Sequence, residues 1–153
     1  MWRSALLGVV AGMRSQLPGV LLAWRASRGH IAGDAATRVL RRRGALPLAV
    51  VAATGELVSD KLPRTPSRLE DGPFLGRLTL GAAAGSGVAG AFGGSRVLGA
   101  AFGAAGAAAG SVAGYRLRAD AARRTGISDT VWALAEDALA IALGLVATHP
   151  RQD

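Results

Sequence analysis

The chain has 153 residues, half of them hydrophobic, 18% charged and only 5% aromatic, with no cysteine and two histidines, His30 and His149, far apart in sequence. That composition excludes a disulfide framework and a thiolate metal site, and it argues against a histidine metal site or a bound cofactor. The net charge of +8 comes from 17 Arg and the single Lys61, and Arg41-Arg42-Arg43 has no recognition motif or aromatic platform beside it, so the positive charge suits anionic lipid headgroups rather than nucleic acid.

A single domain spanning 1–153 is expected. Its apolar half leans on Ala and Gly, which bury little area apiece, so folding driven by water would be weak at ~25 cal/mol per Å². Close backbone packing in lipid suits this composition better.

The first apolar segment, about 4–24, follows Trp2-Arg3 and is interrupted by Arg14 and Pro18. It resembles a signal peptide at its start, but no clean small-x-small cleavage site follows. It is read as a retained first helix, bent near Pro18. Arg25 to Arg43 is a basic stretch with the amphipathic look of an interfacial helix. Segment two, 45–62, offers twelve uncharged residues, Gly44 to Gly55, before Glu56; it either spans or re-enters. A proline-rich loop through Pro63, Pro66 and Pro73 leads to segment three, 76–94, and then segment four, 96–115.

Residues 78–115 carry one charge, Arg96, and eleven glycines. Gly99, Gly103, Gly106, Gly110 and Gly114 are spaced to share one helix face, which lets a partner helix approach closely. The uncharged runs 78–95 and 97–115 are 18 and 19 residues long, against the ~20 a membrane helix needs. A transmembrane hairpin turning at Gly93-Gly94-Ser95-Arg96 is expected. Segment five, 129–148, has Ser128 or Asp129 as its N-cap and Glu136-Asp137 near its middle. Trp2, Trp24 and Trp132 fall near segment ends, as interfacial anchors do. The expected architecture is an all-α integral membrane bundle of about five helices.

G-x-V-A-G-x-R occurs twice, at Gly8–Arg14 and Gly110–Arg116, a candidate internal repeat in a chain so rich in Ala and Gly that chance competes with it. With five spans, the helices carrying the two copies run in opposite directions, the inverted arrangement of many transporters, and basic residues divide almost evenly between the faces. With segment two re-entrant, the copies run parallel. Five helices and an inverted design are the favoured expectation.

Ionisable groups in apolar segments are expensive in lipid, ~2.5–3.5 kcal/mol at mid-bilayer on insertion scales. Arg14, Glu136 and Asp137, with long apolar flanks, are therefore expected to be paired and turned inward, with Glu56 or Glu136 able to pair with Arg14, or two close carboxylates sharing a proton or holding a cation. Glu56 and Asp60 lie one helical turn apart, with Lys61 adjacent. Asp60, Lys61 and Arg116 are as well explained as headgroup-level residues. Together Arg14, Glu56, Asp60, Lys61, Arg116, Glu136 and Asp137 form the candidate polar interior. Gly85-Ser86-Gly87-Val88-Ala89-Gly90 matches G-x-G-x-x-G without the flanking strands that would make it a dinucleotide site. There is no P-loop, no G-x-S-x-G and no metal-ligand cluster.

Glu56-Leu57-Val58-Ser59-Asp60-Lys61-Leu62-Pro63, read as E-x-x-x-D-K-x-P, resembles the signature of the bacterial domain-of-unknown-function family 4126 of small integral membrane proteins. The resemblance extends to Gly12-Met13-Arg14 with Pro18, to Gly76-Arg77, and to Ala135-Glu136-Asp137-Ala138-Leu139. Longer relatives carry an Asp-His step after the proline, where this chain has Thr65-Pro66-Ser67-Arg68. The resemblance implies a bacterial cytoplasmic-membrane location and a helical fold, and no activity.

Two functions are carried forward. One is a transporter or channel-like protein for an ion or small solute, with the charged residues lining its interior and a homo-oligomer as its working form. The other is a structural protein that assembles through the glycine faces. A lipid-modifying enzyme ranks last, since no nucleophile accompanies the carboxylates, and no enzymatic activity is expected.

Overall fold

The computed structural model describes residues 1–31, 37–59, 69–125 and 127–150. All regular structure among them is helical: α1 (Trp2–Met13), α2 (Leu17–Ser27), a short 3-10 turn (Thr37–Arg41), α3 (Ala45–Ser59), α4 (Asp71–Ala91), α5 (Arg96–Thr125) and α6 (Asp129–Ala147). The basic stretch expected to be an interfacial helix holds only the end of α2 and the 3-10 turn among its described residues. Asp60 and Lys61 lie outside the described residues.

The α4–α5 hairpin turns where the glycines predict. Gly93 takes φ +73, a left-handed conformation that a side chain would resist. The Gly94 amide donates to the Ala89 carbonyl at 2.7 Å and the Gly93 amide to Gly90 at 3.3 Å, which closes α4 with a Schellman cap. Ser95 Oγ accepts from the Leu98 amide at 3.4 Å, opening α5. At the start of α6 Ser128 occupies the N-cap position, though its side chain makes no capping bond.

Three helices meet along a glycine seam. A Cβ on Gly103 would fall on the Gly81 carbonyl, one on Gly85 on the Gly99 carbonyl, and one on Gly8 on the Gly103 carbonyl. Gly106 and Gly110 sit against the backbone of Ala5 and Val9, and Gly12 against Ala107 and Gly110. The pairings of α4 with α5 run in opposite sequence directions, whereas those of α1 with α5 rise together. So α1 and α5 are parallel, and the two copies of G-x-V-A-G-x-R run in one direction, the first lying beside Gly103 to Ser111 and so ahead of the second. The inverted arrangement expected from five spans is not what forms.

The reason lies in segment one, which is two helices and not one bent helix. α1 stops at Arg14, whose backbone is extended (φ −139, ψ 103). α2 restarts with Pro18 in its first turn, where a missing N–H costs nothing. It then returns along α1. Leu17 packs near Val10, Met13 and Ala140, Leu21 reaches Gly144, and Leu22 and Ala26 join Leu7, Val88 and Ala147. The chain thus enters and leaves this hairpin at the same end of the bundle. α3 descends to the hairpin tip, α4 ascends, α5 descends and α6 ascends. Arg3 anchors the C-terminus of α6 by donating to the Ala147 carbonyl at 3.0 Å.

Size is distributed inside out. Among the described residues, eight of the fifteen buried hydrophobic ones are alanines, while Val97, Leu48, Leu117 and Val51 are 79%, 71%, 68% and 67% exposed. Two helical stretches, Arg96–Leu117 and Thr130–Ala147, are long and apolar enough to cross a membrane. Only 39% and 17% of their apolar windows are buried, whereas the core helix of a water-soluble protein would be mostly buried.

Candidate functional site at the hairpin tip

Breaking a helix leaves backbone groups without intrahelical partners on both sides of the break. At Arg14-Ser15-Gln16 these are the last carbonyls of α1 and the Ser15 and Gln16 amides just ahead of α2, and each set meets a side chain of complementary charge. Arg77 of α4 donates through Nη1 to the Gly12 carbonyl at 3.0 Å and the Met13 carbonyl at 3.3 Å. Ser111 Oγ of α5 is a second donor to the Gly12 carbonyl, at 3.3 Å. On the other side, Glu56 of α3 accepts from the Ser15 amide at 2.9 Å, the Ser15 hydroxyl at 2.8 Å and the Gln16 amide at 3.0 Å. A cation therefore sits at a helix C-terminus and an anion at a helix N-terminus, each favoured by the local peptide dipoles.

The two clamps are joined. Arg77 Nη2 also reaches Glu56 Oε1, at 3.5 Å. A second ion pair joins the tip to α6 through Arg14 Nε and Asp137 Oδ1. Arg14 and Arg77 are 8% and 7% exposed, so both guanidinium groups are withdrawn from the surroundings and held by carboxylates and carbonyls, as a buried charge requires. The four charges sum to zero.

Beside the tip lies a pocket of about 140 Å³ lined by Arg14, Leu17, Ala53, Glu56, Leu57, Asp137 and Ile141. It has room for a small ion or a few waters. The side chain of Asp137, 28% exposed, is the more accessible carboxylate. A solute entering here meets one guanidinium and two carboxylates that already have partners, so it binds by competing with one of those pairs.

Three of the seven predicted polar residues, Arg14, Glu56 and Asp137, are brought together here. Glu136, one position from Asp137, turns to a different pocket with Met13, Gly114, Leu117 and Trp132. Arg116 is exposed on α5 and does not share the position of Arg14, its counterpart in the repeat. Gly99, Gly103, Gly106 and Gly110 belong to the seam, and Gly114 is buried beside the Glu136 pocket.

Arg77, Ser15 and Gln16 are the members that sequence reasoning did not place. A signal existed for each. Arg77 is the last charge before the uncharged run, and Ser15-Gln16 stands just ahead of a proline that starts a helix. Gly12, Arg14, Glu56, Arg77 and Asp137 meet at this tip, whereas Glu136 faces a different pocket and Asp60, Lys61 and Pro63 lie outside the described residues. Among known proteins, no family model, curated protein or solved structure matches the chain.

Proposed function

We propose that the chain is a multi-pass protein of the bacterial cytoplasmic membrane that moves an ion or small solute, with the hairpin tip as its gate. The observation that carries this reading is a polar, charge-balanced break in a helix set inside an apolar bundle. Ser111 marks the level of the tip on α5, fifteen residues beyond Arg96 and five before Arg116. At 1.5 Å per residue that is about 22 Å from one charged level and about 8 Å from the other, inside a hydrocarbon layer ~30 Å thick. Irregular backbone at such depth is tolerated where protein groups satisfy it or where it lines an aqueous cavity. Broken helices with charged ends at the midplane are how many transporters hold their solutes.

On this reading Glu56 is a tethered anion at the start of α2, and Asp137 is an exchangeable partner of Arg14. Displacing either pair loosens the tip from α3 or α6 and opens the pocket to one side. The inside-out distribution of side-chain size supports the bilayer setting, because large aliphatic groups on the outer surface then face acyl chains.

The structural alternative, assembly through glycine faces, is less well supported. Gly99, Gly103, Gly106 and Gly110 already face α1 and α4 of the same chain. A homo-oligomer would then form through the outer faces of α3 and α6 instead. The test is flux in proteoliposomes, screened across alkali cations, halides, protons and small neutral solutes. Glu56→Gln and Asp137→Asn are expected to abolish the flux that the wild-type chain supports. Wild-type flux in both variants would remove the tip from the mechanism.

A further inference from the structure

α6 is held unevenly along its length. Its C-terminal half is packed. Ala140, Gly144 and Ala147 are buried on one face, and Thr148 follows them into the core. Ala140 joins Val10 and Met13, and Ala147 joins Leu7 and Leu22. A Cβ on Gly144 would fall on Leu21 Cδ1, so α6 and α2 are in tight contact there. Arg3 secures the same end by donating to the Ala147 and His149 carbonyls, while its guanidinium lies 4.0 Å from the Phe92 ring of α4. In the N-terminal half, none of the residues from Thr130 to Leu139 is buried. This half stands between two cavities. At ~100° per residue, Asp137 and Ile141 project from one side of α6, and Trp132, Ala135 and Leu139 from the opposite side. The first two border the tip pocket of about 140 Å³. The other three border a cavity of about 250 Å³ against Met13, Gly114 and Leu117. The Arg14–Asp137 ion pair draws this half towards the tip.

We propose that α6 is a lever that pivots at Gly144 and tilts its N-terminal half out of the tip pocket and into the α5-side cavity when Asp137 parts from Arg14. The inference deepens the gate reading by naming the element that moves, although the tilt itself stands on packing. Val131 lies thirteen residues from Gly144 and Asp137 seven. Those separations are ~20 Å and ~10 Å along the axis, so a tilt of ~12° moves them by ~4 Å and ~2 Å. The second displacement suffices to break a hydrogen-bonded ion pair, while the contacts at Gly144 and Ala147 hardly change. The movement carries Trp132 and Glu136 towards α5 and not away from it, and the larger cavity supplies the room. Opening the tip pocket thus closes the other cavity, the small sliding of a packed helix that shear motions use.

Double electron–electron resonance on spin-label pairs tests this in the full chain, which has no native cysteine. Three pairs of exposed positions serve: Val131 with Val58 of α3, Val131 with Tyr115 of α5, and Val146 with Val97 of α5. Asp137→Asn, or Arg14→Gln as a second way to break the ion pair, should lengthen the first distance by ~4 Å, shorten the second and leave the third unchanged. Adding Ala135→Phe to Asp137→Asn fills the α5-side cavity and should restore the first two distances. Distances that stay at their wild-type values in both single variants would overturn the proposal. So would a shift of all three pairs together, which means that α6 detaches, or shifts that persist with Ala135→Phe. Flux that survives Asp137→Asn while the first two distances move would defeat the gate and leave the lever standing. Flux lost with all three distances unmoved would do the reverse.

Discussion

The glycine seam and the hairpin tip solve the same problem with opposite chemistry. Along the seam, α1, α4 and α5 touch backbone to backbone, and near its Gly99 end Ser4 Oγ donates to the Gly85 carbonyl at 3.0 Å. At the tip, four ionisable side chains and several backbone groups hold four helices in register. Where no hydrophobic drive separates helix from solvent, association must come from dense contact or from polar pairing. The seam uses contact and has no tolerance for added volume. The tip uses pairing and has no tolerance for a missing partner. The seam can be rigid and permanent, whereas ion pairs can exchange partners, which the proposed gate requires.

The largest expected effect is at the seam. Gly103→Leu would drive a side chain into the Gly81 carbonyl and the Gly85 backbone, beyond the ~1–3 kcal/mol of ordinary overpacking because backbone cannot repack. No monodisperse, folded peak should be recovered in size-exclusion chromatography in detergent. Next comes Arg77→Gln, which takes the Arg77 cation away from Glu56 and its donors away from the Gly12 and Met13 carbonyls and should lower stability by ~3–5 kcal/mol, read as a drop in thermal midpoint by circular dichroism. Adding Glu56→Gln to Arg77→Gln should recover part of that loss, and a double-mutant cycle with no coupling would contradict the clamp. Arg14→Gln should cost less, about 1–3 kcal/mol, since the Asp137 partner is partly exposed and can be solvated from the pocket. The smallest effect, of opposite sign, belongs to Gly55→Ala. Nothing lies within 4 Å of a Cβ at that position, and removing a helical glycine should stabilise α3 by ~0.5–1 kcal/mol.

Much of the seam is legible in the sequence, because the spacing of Gly99, Gly103, Gly106 and Gly110 encodes a face directly, and Gly93-Gly94-Ser95 encodes the turn. The tip is only half legible. Arg14 and Asp137 stand out as charges within apolar runs, yet the partner that completes Glu56 is Arg77, which reads as the tail of a charged loop. The proline was the decisive ambiguity. Pro18 inside an apolar run reads as a kink, but the same residue at the first turn of a helix starts one, and periodicity alone does not choose. That one reading turns a spanning helix into a hairpin and reverses the expected relation of α1 to α5. Arg116 shows the converse, since a repeated motif supplies a second arginine that the fold leaves exposed, away from the level of Arg14.

The most direct test of the account is whether the first segment returns to the side it entered. The chain has no cysteine, so single cysteines at Trp2, Ser27, Ser95 and Ile127 can be labelled in sealed, oriented vesicles with a membrane-impermeant maleimide. The hairpin predicts that Trp2→Cys, Ser27→Cys and Ser95→Cys react from one side and Ile127→Cys from the other. Labelling of Ser27→Cys from the side opposite Trp2→Cys would mean that segment one crosses, and the gate built on its tip would not exist.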